Sequence, residues 1–159
     1  MTRHGFSLIE LVVVIVLMAM IAAAASLSLR GYVQRQRVVR AVETIGRFDA
    51  ALRSEARRTR STVTGTIEPS GGRLMFQSEA ETRVFKLPAD VRLNRVRIGP
   101  ITSSTSPRRL AVDDLGRSPS YAIEVVAGTA SRWVFFSGAS GQGVNGLDRD
   151  EVTALLGTS

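Results

Sequence analysis

From Leu11 to Ala25 no residue is charged or even polar, and the apolar run around this stretch reaches from Phe6 to Leu29. As a helix, Phe6 to Leu29 would be ~36 Å long at about 1.5 Å per residue. A bilayer core is ~30 Å thick and takes about 20 apolar residues to cross. For a soluble core helix the run is too long and too apolar all round. A short basic leader, Met1-Thr2-Arg3-His4-Gly5, precedes it, and one carboxylate, Glu10, sits near its front. A carboxylate at the centre of a membrane helix costs on the order of 2.5–3.5 kcal/mol, less near the interface. Such a group calls for a cation, and an α-amino group on Phe6 would supply one if the chain were cut after Gly5. Two other readings of the run stand beside this one. A secretory signal peptide also has a basic start and an apolar core, and Ala22-Ala23-Ala24-Ala25-Ser26 offers a small-residue cleavage site. A plain signal anchor is the other.

The hexapeptide Gly5-Phe6-Ser7-Leu8-Ile9-Glu10 resembles the processing motif of the type IV pilin and type II secretion pseudopilin family. The small residue before the cut, the Phe after it, the Glu four positions beyond Phe6 and the apolar helix that follows all match. The resemblance implies that a membrane-embedded prepilin peptidase cleaves between Gly5 and Phe6 and N-methylates Phe6. It also implies that Glu10 pairs with the Phe6 amine of a neighbouring subunit. The implied partners are other pilin or pseudopilin subunits, the peptidase, an inner-membrane assembly platform and, before assembly, membrane lipid. The implied location is the bacterial inner membrane, single-pass, with the amino terminus cytoplasmic and the head periplasmic, and then a periplasmic filament. Pilins often carry a kinking Pro in the apolar half of the helix, whereas Leu11 to Ala56 contains none. That sets this chain apart from the major subunits.

With 159 residues the chain has room for one modest domain beyond the apolar segment. It has no cysteine, so thiol and disulfide chemistry is excluded. The net charge is +7, and every cation but Lys86 is Arg or lies in the leader. Arg30, Arg35, Arg37 and Arg40 follow the apolar run, where the positive-inside tendency would place few cations. Arg53, Arg57, Arg58 and Arg60 form a second group, read as complementing a helix dipole. A basic balance is compatible with nucleic acid, but much of this charge lies on a helix that a filament would cover, so nucleic acid is not an expected partner.

Val38, Val42, Ile45, Phe48 and Leu52 recur at steps of three and four. One helix is therefore expected from about Ser7 to about Arg58, with Arg35, Arg40, Arg47 and Asp49 off its apolar face. Gly31 and Gly46 each cost it roughly 1 kcal/mol. From Ser61 the pattern alternates. Strands are expected at Thr62–Ile67, Arg73–Gln77 after the Pro69–Gly72 turn, Thr82–Leu87 and Val91–Val96. Thr102–Pro107 reads as an exposed loop and Leu110–Val112 as a short edge strand. A final hairpin comprises Tyr121–Val126, a loop Ala127–Ser131 and Arg132–Phe136, with Trp133 and Phe135 on one face and Val134 and Phe136 on the other. Ser137–Gly146 reads as a mobile or tightly turned tail. Asp148 and Glu151 have the spacing of a capping box ahead of a short helix to Leu156. The fold class is α+β: a long amino-terminal helix, apolar then amphipathic, packed on a small antiparallel β-sheet head. The expected parts are residues 1–5 as cleaved leader, 6–29 as membrane and assembly helix, 30–60 as amphipathic helix, and 61–159 as β-rich head. The closing hairpin, followed by a Ser/Gly turn, is similar to that of H-type minor pseudopilins.

Enzymatic chemistry has little to work with. The one histidine, His4, lies in the leader, so Ser-His, Cys-His and His-metal sites are not expected in the processed chain. Asp113-Asp114 and Asp148/Asp150 are accounted for by turn and cap chemistry. Calcium needs six to eight oxygen ligands, and Asp148, Asp150 and nearby carbonyls are a thin set, so no cofactor is expected, with calcium at this C-terminal loop as the alternative. The reading is a non-enzymatic subunit of a periplasmic pseudopilus, at a minor position in a type II secretion system. The alternatives are a minor type IV pilin for adhesion or DNA uptake, and a helix-anchored binding protein that does not assemble.

Overall fold

The computed structural model describes residues 8–78, 81–99, 101–103 and 106–157, apart from the side chains of residues 25–28 and 101–103. The chain divides into two units, Met1–Val33 and Gln34–Ser159. Helix α1 runs Leu8–Thr59, one residue beyond the expected end, while the expected start at Ser7 lies outside the described residues. In the first unit every described side chain from Leu8 on is exposed.

In the second unit α1 buries Val38, Ala41, Val42, Ile45, Phe48, Leu52 and Ala56. Full burial of a Val, Leu or Phe side chain stabilises by about 1.5–3 kcal/mol, far more than the two helix glycines cost. The helix stops where Arg60 turns left-handed, at φ 49°, and the Ser61 N–H donates to the Ala56 carbonyl at 3.3 Å. That is the pattern by which a helix end usually employs Gly.

Among the described residues nine strands follow: β1 (Val63–Glu68), β2 (Arg73–Gln77), β3 (Thr82–Lys86), β4 (Val91–Ile98), β5 (Ile101–Ser103), β6 (Arg108–Val112), β7 (Tyr121–Ala127), β8 (Ala130–Phe136) and β9 (Gly143–Leu147), then helix α2 (Arg149–Gly157). They form two antiparallel sheets, ordered β3-β2-β1-β6 and β5-β4-β7-β8-β9. The inner faces of both sheets share one core with α1, including Ile67, Leu74, Leu110, Ile123, Val134 and Phe136. The helix approaches β1 so closely that a Cβ on Gly65 would lie 2.7 Å from the Phe48 ring and 2.8 Å from Leu52. A larger residue there would force the two apart. Trp133 and Phe135 point the other way, as the alternation requires, and are covered by Val152 and Leu156 of α2.

Three sequence expectations need correction. Ile101–Ser103 is a strand paired with β4, so the Ser/Thr loop begins later than expected; residues 104 and 105 lie outside the described residues. The closing hairpin turns in two residues rather than five. Gly128, at φ 58°, supplies the positive first position of a tight turn, and Ala127 pairs with Ala130. The Gly-rich tail is a turn only as far as Gln142, closed by Gly141 N–H to the Ser137 carbonyl at 2.9 Å. Its second half is β9, paired with β8, which low β-propensity had concealed.

The capping box forms as expected. Asp148 Oδ1 accepts the Glu151 N–H at 2.8 Å, and Glu151 Oε2 accepts the Asp148 N–H at 2.8 Å. Asp148→Ala is expected to cost about 1 kcal/mol. Loosening of α2 should expose the Trp133 ring, so a red-shifted tryptophan emission in the folded protein is the measurement that checks it.

Candidate functional site

Of the three positions that the sequence marks for processing and assembly, Gly5 and Phe6 lie outside the described residues. Glu10 lies in the first turn of α1 and is exposed. Around it stands a sleeve of uncovered apolar side chains. Leu8 is 82% exposed, and the least exposed large residue between Leu8 and Ile21, Val14, is still 44% exposed. The most apolar 18-residue window of this helix has a mean hydropathy of 2.8, and none of it is buried within the chain. By length and composition it can cross a membrane. Apolar surface on this scale, all the way round a helix, marks a site for lipid or protein. Glu10 is the acid within it, at the helix end where the backbone dipole favours negative charge.

The head is held to its helix by a group that the sequence reading placed elsewhere. Asp49, expected off the apolar face, is 2% exposed, and Arg53, assigned to the helix dipole, is 3% exposed. Asp49 is four residues past Ile45 and seven past Val42, so it belongs in the middle of the apolar stripe. Arg53 is one turn further on, and that spacing of opposite charges was the available signal. The Arg53 Nε donates to Asp49 Oδ2 at 2.7 Å. Its Nη1 donates to the carbonyls of Gly116 at 2.7 Å and Gly138 at 2.9 Å, and its Nη2 to Ser118 Oγ at 3.0 Å and the Ser137 carbonyl at 3.2 Å. The Tyr121 hydroxyl donates to Asp49 Oδ1 at 2.8 Å. Burial, reinforced by the neighbouring Asp49 charge, pushes the Tyr121 hydroxyl well above its usual range, so it stays a donor. One guanidinium thus ties α1 to the turns before β7 and after β8.

Beside this group a cleft of about 420 Å³ opens between Glu43, Gly46 and Ala50 of α1 and Ser140, Gly141 and Gly143. The polar side chains at its floor, Asp49 and Arg53, are engaged with each other and with the backbone. Among the described residues no group of three or more His, Cys, Asp or Glu gathers to hold a metal ion. Asp148, one of the oxygen donors considered for calcium, uses Oδ1 to cap α2, accepting from Asp150 as well as Glu151.

Several arginines of the two basic groups are likewise occupied. Arg37 bridges Asp90 at 2.7 Å, and Arg58 grips Glu55 through Nη2 at 2.6 Å and Nε at 3.0 Å. The Arg58 hydrogen bond, helped by one from Ser78, pulls the Glu55 carboxyl from 4.5 down to about 2. Asp113 is also lowered, first by the backbone N–H of Arg117. Both carboxyls hold protons less tightly folded than unfolded. Their contribution to stability is therefore whole above about pH 4.5 and is lost as the pH falls towards 2. Acid titration of the unfolding midpoint should show this loss, and Glu55→Gln should flatten it.

A 52-residue amino-terminal helix followed by small antiparallel sheets is an α+β, pilin-like architecture. Residues 1–26 match the family described as the prokaryotic N-terminal methylation motif. No curated protein and no solved structure matches the chain.

Proposed function

We propose that this chain is a structural, non-enzymatic subunit of a periplasmic pseudopilus, at a low-copy, minor position in a type II secretion system. The observation that carries this reading is Glu10 standing in an all-round exposed apolar helix, within a methylation motif over residues 1–26 that also spans the expected cleavage site. Prepilin peptidase would cut between Gly5 and Phe6 and methylate the new Phe6 amine. The helix would wait in the inner membrane with the head in the periplasm, then move from lipid into a bundle of like helices. There the Glu10 carboxylate and the Phe6 ammonium of a neighbour meet in an apolar surrounding, where either one alone is costly. Register along the filament follows from that pairing.

The absence of Pro between Leu11 and Ala56 supports a minor rather than a major position. The engagement of Arg37, Arg53 and Arg58 within the head weighs against nucleic acid as the ligand. Mass spectrometry of the native protein should find a terminus at methylated Phe6; a terminus at Met1 or near Ser26 would overturn the reading. Deletion should abolish secretion of folded exoproteins and leave surface pili intact.

A further inference from the structure

Glycine weakens a helix interior more than any residue but Pro, and Gly46 does so with no return inside this chain. Its φ is an ordinary helical one, and a Cβ built on it would meet nothing within 4 Å. Gly65, by contrast, is required by the Phe48 ring against it. What Gly46 does is keep the α1 wall of the cleft beside β9 low. Glu43, Gly46, Ala50 and Arg57 fall on one stripe of α1, and all four line that cleft. Glu43, Ala50 and Arg57 are exposed. Among the described residues no hydrogen bond or ion pair engages Glu43 or Arg57.

The opposite wall is β9, the outer strand of its sheet. Sheet edges are usually protected by charge, proline or brevity. Strand β9, Gly143-Val144-Asn145-Gly146-Leu147, has no charge and no proline. Among the described residues no backbone hydrogen bond joins its outer edge to another segment. Gly143 and Asn145 line the cleft, while Val144 pairs with Phe135 and lies on the far face. So β9 puts no large apolar side chain over Gly46. Strand β8 starts beside Gln34, which accepts from Thr129, and ends where Arg53 holds the Ser137 carbonyl. Strand β9 runs back against it, towards the earlier turns of α1. The cleft therefore has Arg57 at the end where β9 begins and Glu43 at the end where it finishes.

We propose that an extended segment of a different subunit adds to the outer edge of β9, antiparallel to it, with every second side chain directed over Gly46 and Ala50. The proposal rests on the assembly reading above, in which a low-copy subunit has unlike chains as neighbours. Main-chain hydrogen bonds to β9 provide the attraction, and the cleft selects the alternate side chains. Glu43 to Arg57 spans ~21 Å of helix, which an extended chain covers in about seven residues at roughly 3.3 Å each. The segment that fits has a cation at its amino end opposite Glu43 and a carboxylate at its carboxyl end opposite Arg57. Between them it places apolar side chains over the Phe136 ring, Gly46 and Ala50, in the cleft of about 420 Å³.

The probe is the capped peptide Lys-Thr-Leu-Thr-Leu-Thr-Glu, titrated into the detergent-solubilised full chain and followed by amide NMR. It should shift the amides of Gly46, Ala50 and Gly143 to Leu147; no shift there would overturn the proposal. Methylating alternate peptide nitrogens blocks one edge of the added strand or the other. One methylated form should lose binding and the other keep it; equal behaviour of the two would mean side-chain contact alone and overturn strand addition. The peptide with Lys and Glu exchanged should bind about fivefold more weakly, and Glu43→Arg with Arg57→Glu should restore it. Gly46→Leu fills the cleft while improving the helix, so it should keep or raise head stability and weaken the peptide about tenfold or more. Its share in sheared filaments should fall with it. Gly46→Leu entering filaments at the native level would overturn the contact and leave the proposed function standing. Absence of the native chain from filaments would overturn both.

Discussion

Arg53→Ala is expected to lower the stability of the head by roughly 3–5 kcal/mol, the cost typical of stranding one member of a buried ion pair. That is a large part of the 5–15 kcal/mol or so that a domain has in total. The loss has two sources. Asp49 keeps its buried carboxylate with only the Tyr121 hydroxyl beside it, the Gly116 carbonyl loses its donor, and the Ser137 and Gly138 carbonyls are left with the Gly141 and Ser118 N–H groups alone. Lysine would not repair this, because three donors on one nitrogen cannot reach acceptors spread across two turns and a carboxylate. Tyr121→Phe removes a single bond to a charged group and should cost about 1.5–3 kcal/mol. Asp49→Leu combined with Arg53→Met should cost less than the sum of the single changes, since neither charge is then left alone. Urea unfolding of the detergent-solubilised full chain, followed by the emission of its one tryptophan, Trp133, measures each of these changes. An Arg53→Ala protein as stable as the parent would mean that the guanidinium is not what holds these turns to the helix.

Glu10→Ala should leave folding of the head unchanged, since Glu10 lies in the other unit. Membrane insertion should be unchanged or better, because a charge that opposes immersion has gone. On the proposed function, the fraction of the protein that enters filaments should fall more steeply than for any head variant. The Phe6 ammonium of the neighbour would enter an apolar bundle without its acid, and breaking such a pair costs about 3–5 kcal/mol. At about 1.4 kcal/mol per tenfold, that is at least a hundredfold in the assembly equilibrium. Glu10→Asp, which keeps the charge on a shorter side chain, should fall between the two. Quantitative immunoblotting of sheared filaments against membrane-held protein gives the ratio directly. Normal incorporation of Glu10→Ala would sink the pairing mechanism, while normal processing of the same variant would show that the peptidase does not need this acid.

The first unit was legible in the sequence because its physics is local. An uninterrupted apolar run, its length and the position of one acid say that the helix must be surrounded by lipid or other helices, with no knowledge of the rest of the chain. The buried stripe from Val38 to Ala56 was legible for a similar reason: a repeat of three and four residues fixes one face of a helix. Turn and cap signals placed β2 and the Asp148–Glu151 box correctly, since those bonds close within a few residues.

What the tertiary structure decided depends on partners far apart in the chain. Strand β9 exists because β8 is there to pair with it; Gly143-Val144-Asn145-Gly146 has too little intrinsic preference to declare itself. The division of the strands into two sheets, with β1 beside both β2 and β6, is a matter of which edges meet once the core collapses on α1. Arg53 shows the point most sharply. By residue type it reads as a surface cation at a helix end, yet its acceptors, Gly116, Ser118, Ser137 and Gly138, lie 63 to 85 residues away. A charge is tolerable inside a protein only when fixed dipoles replace the water it gives up, and those dipoles come into place only when the chain has folded around it.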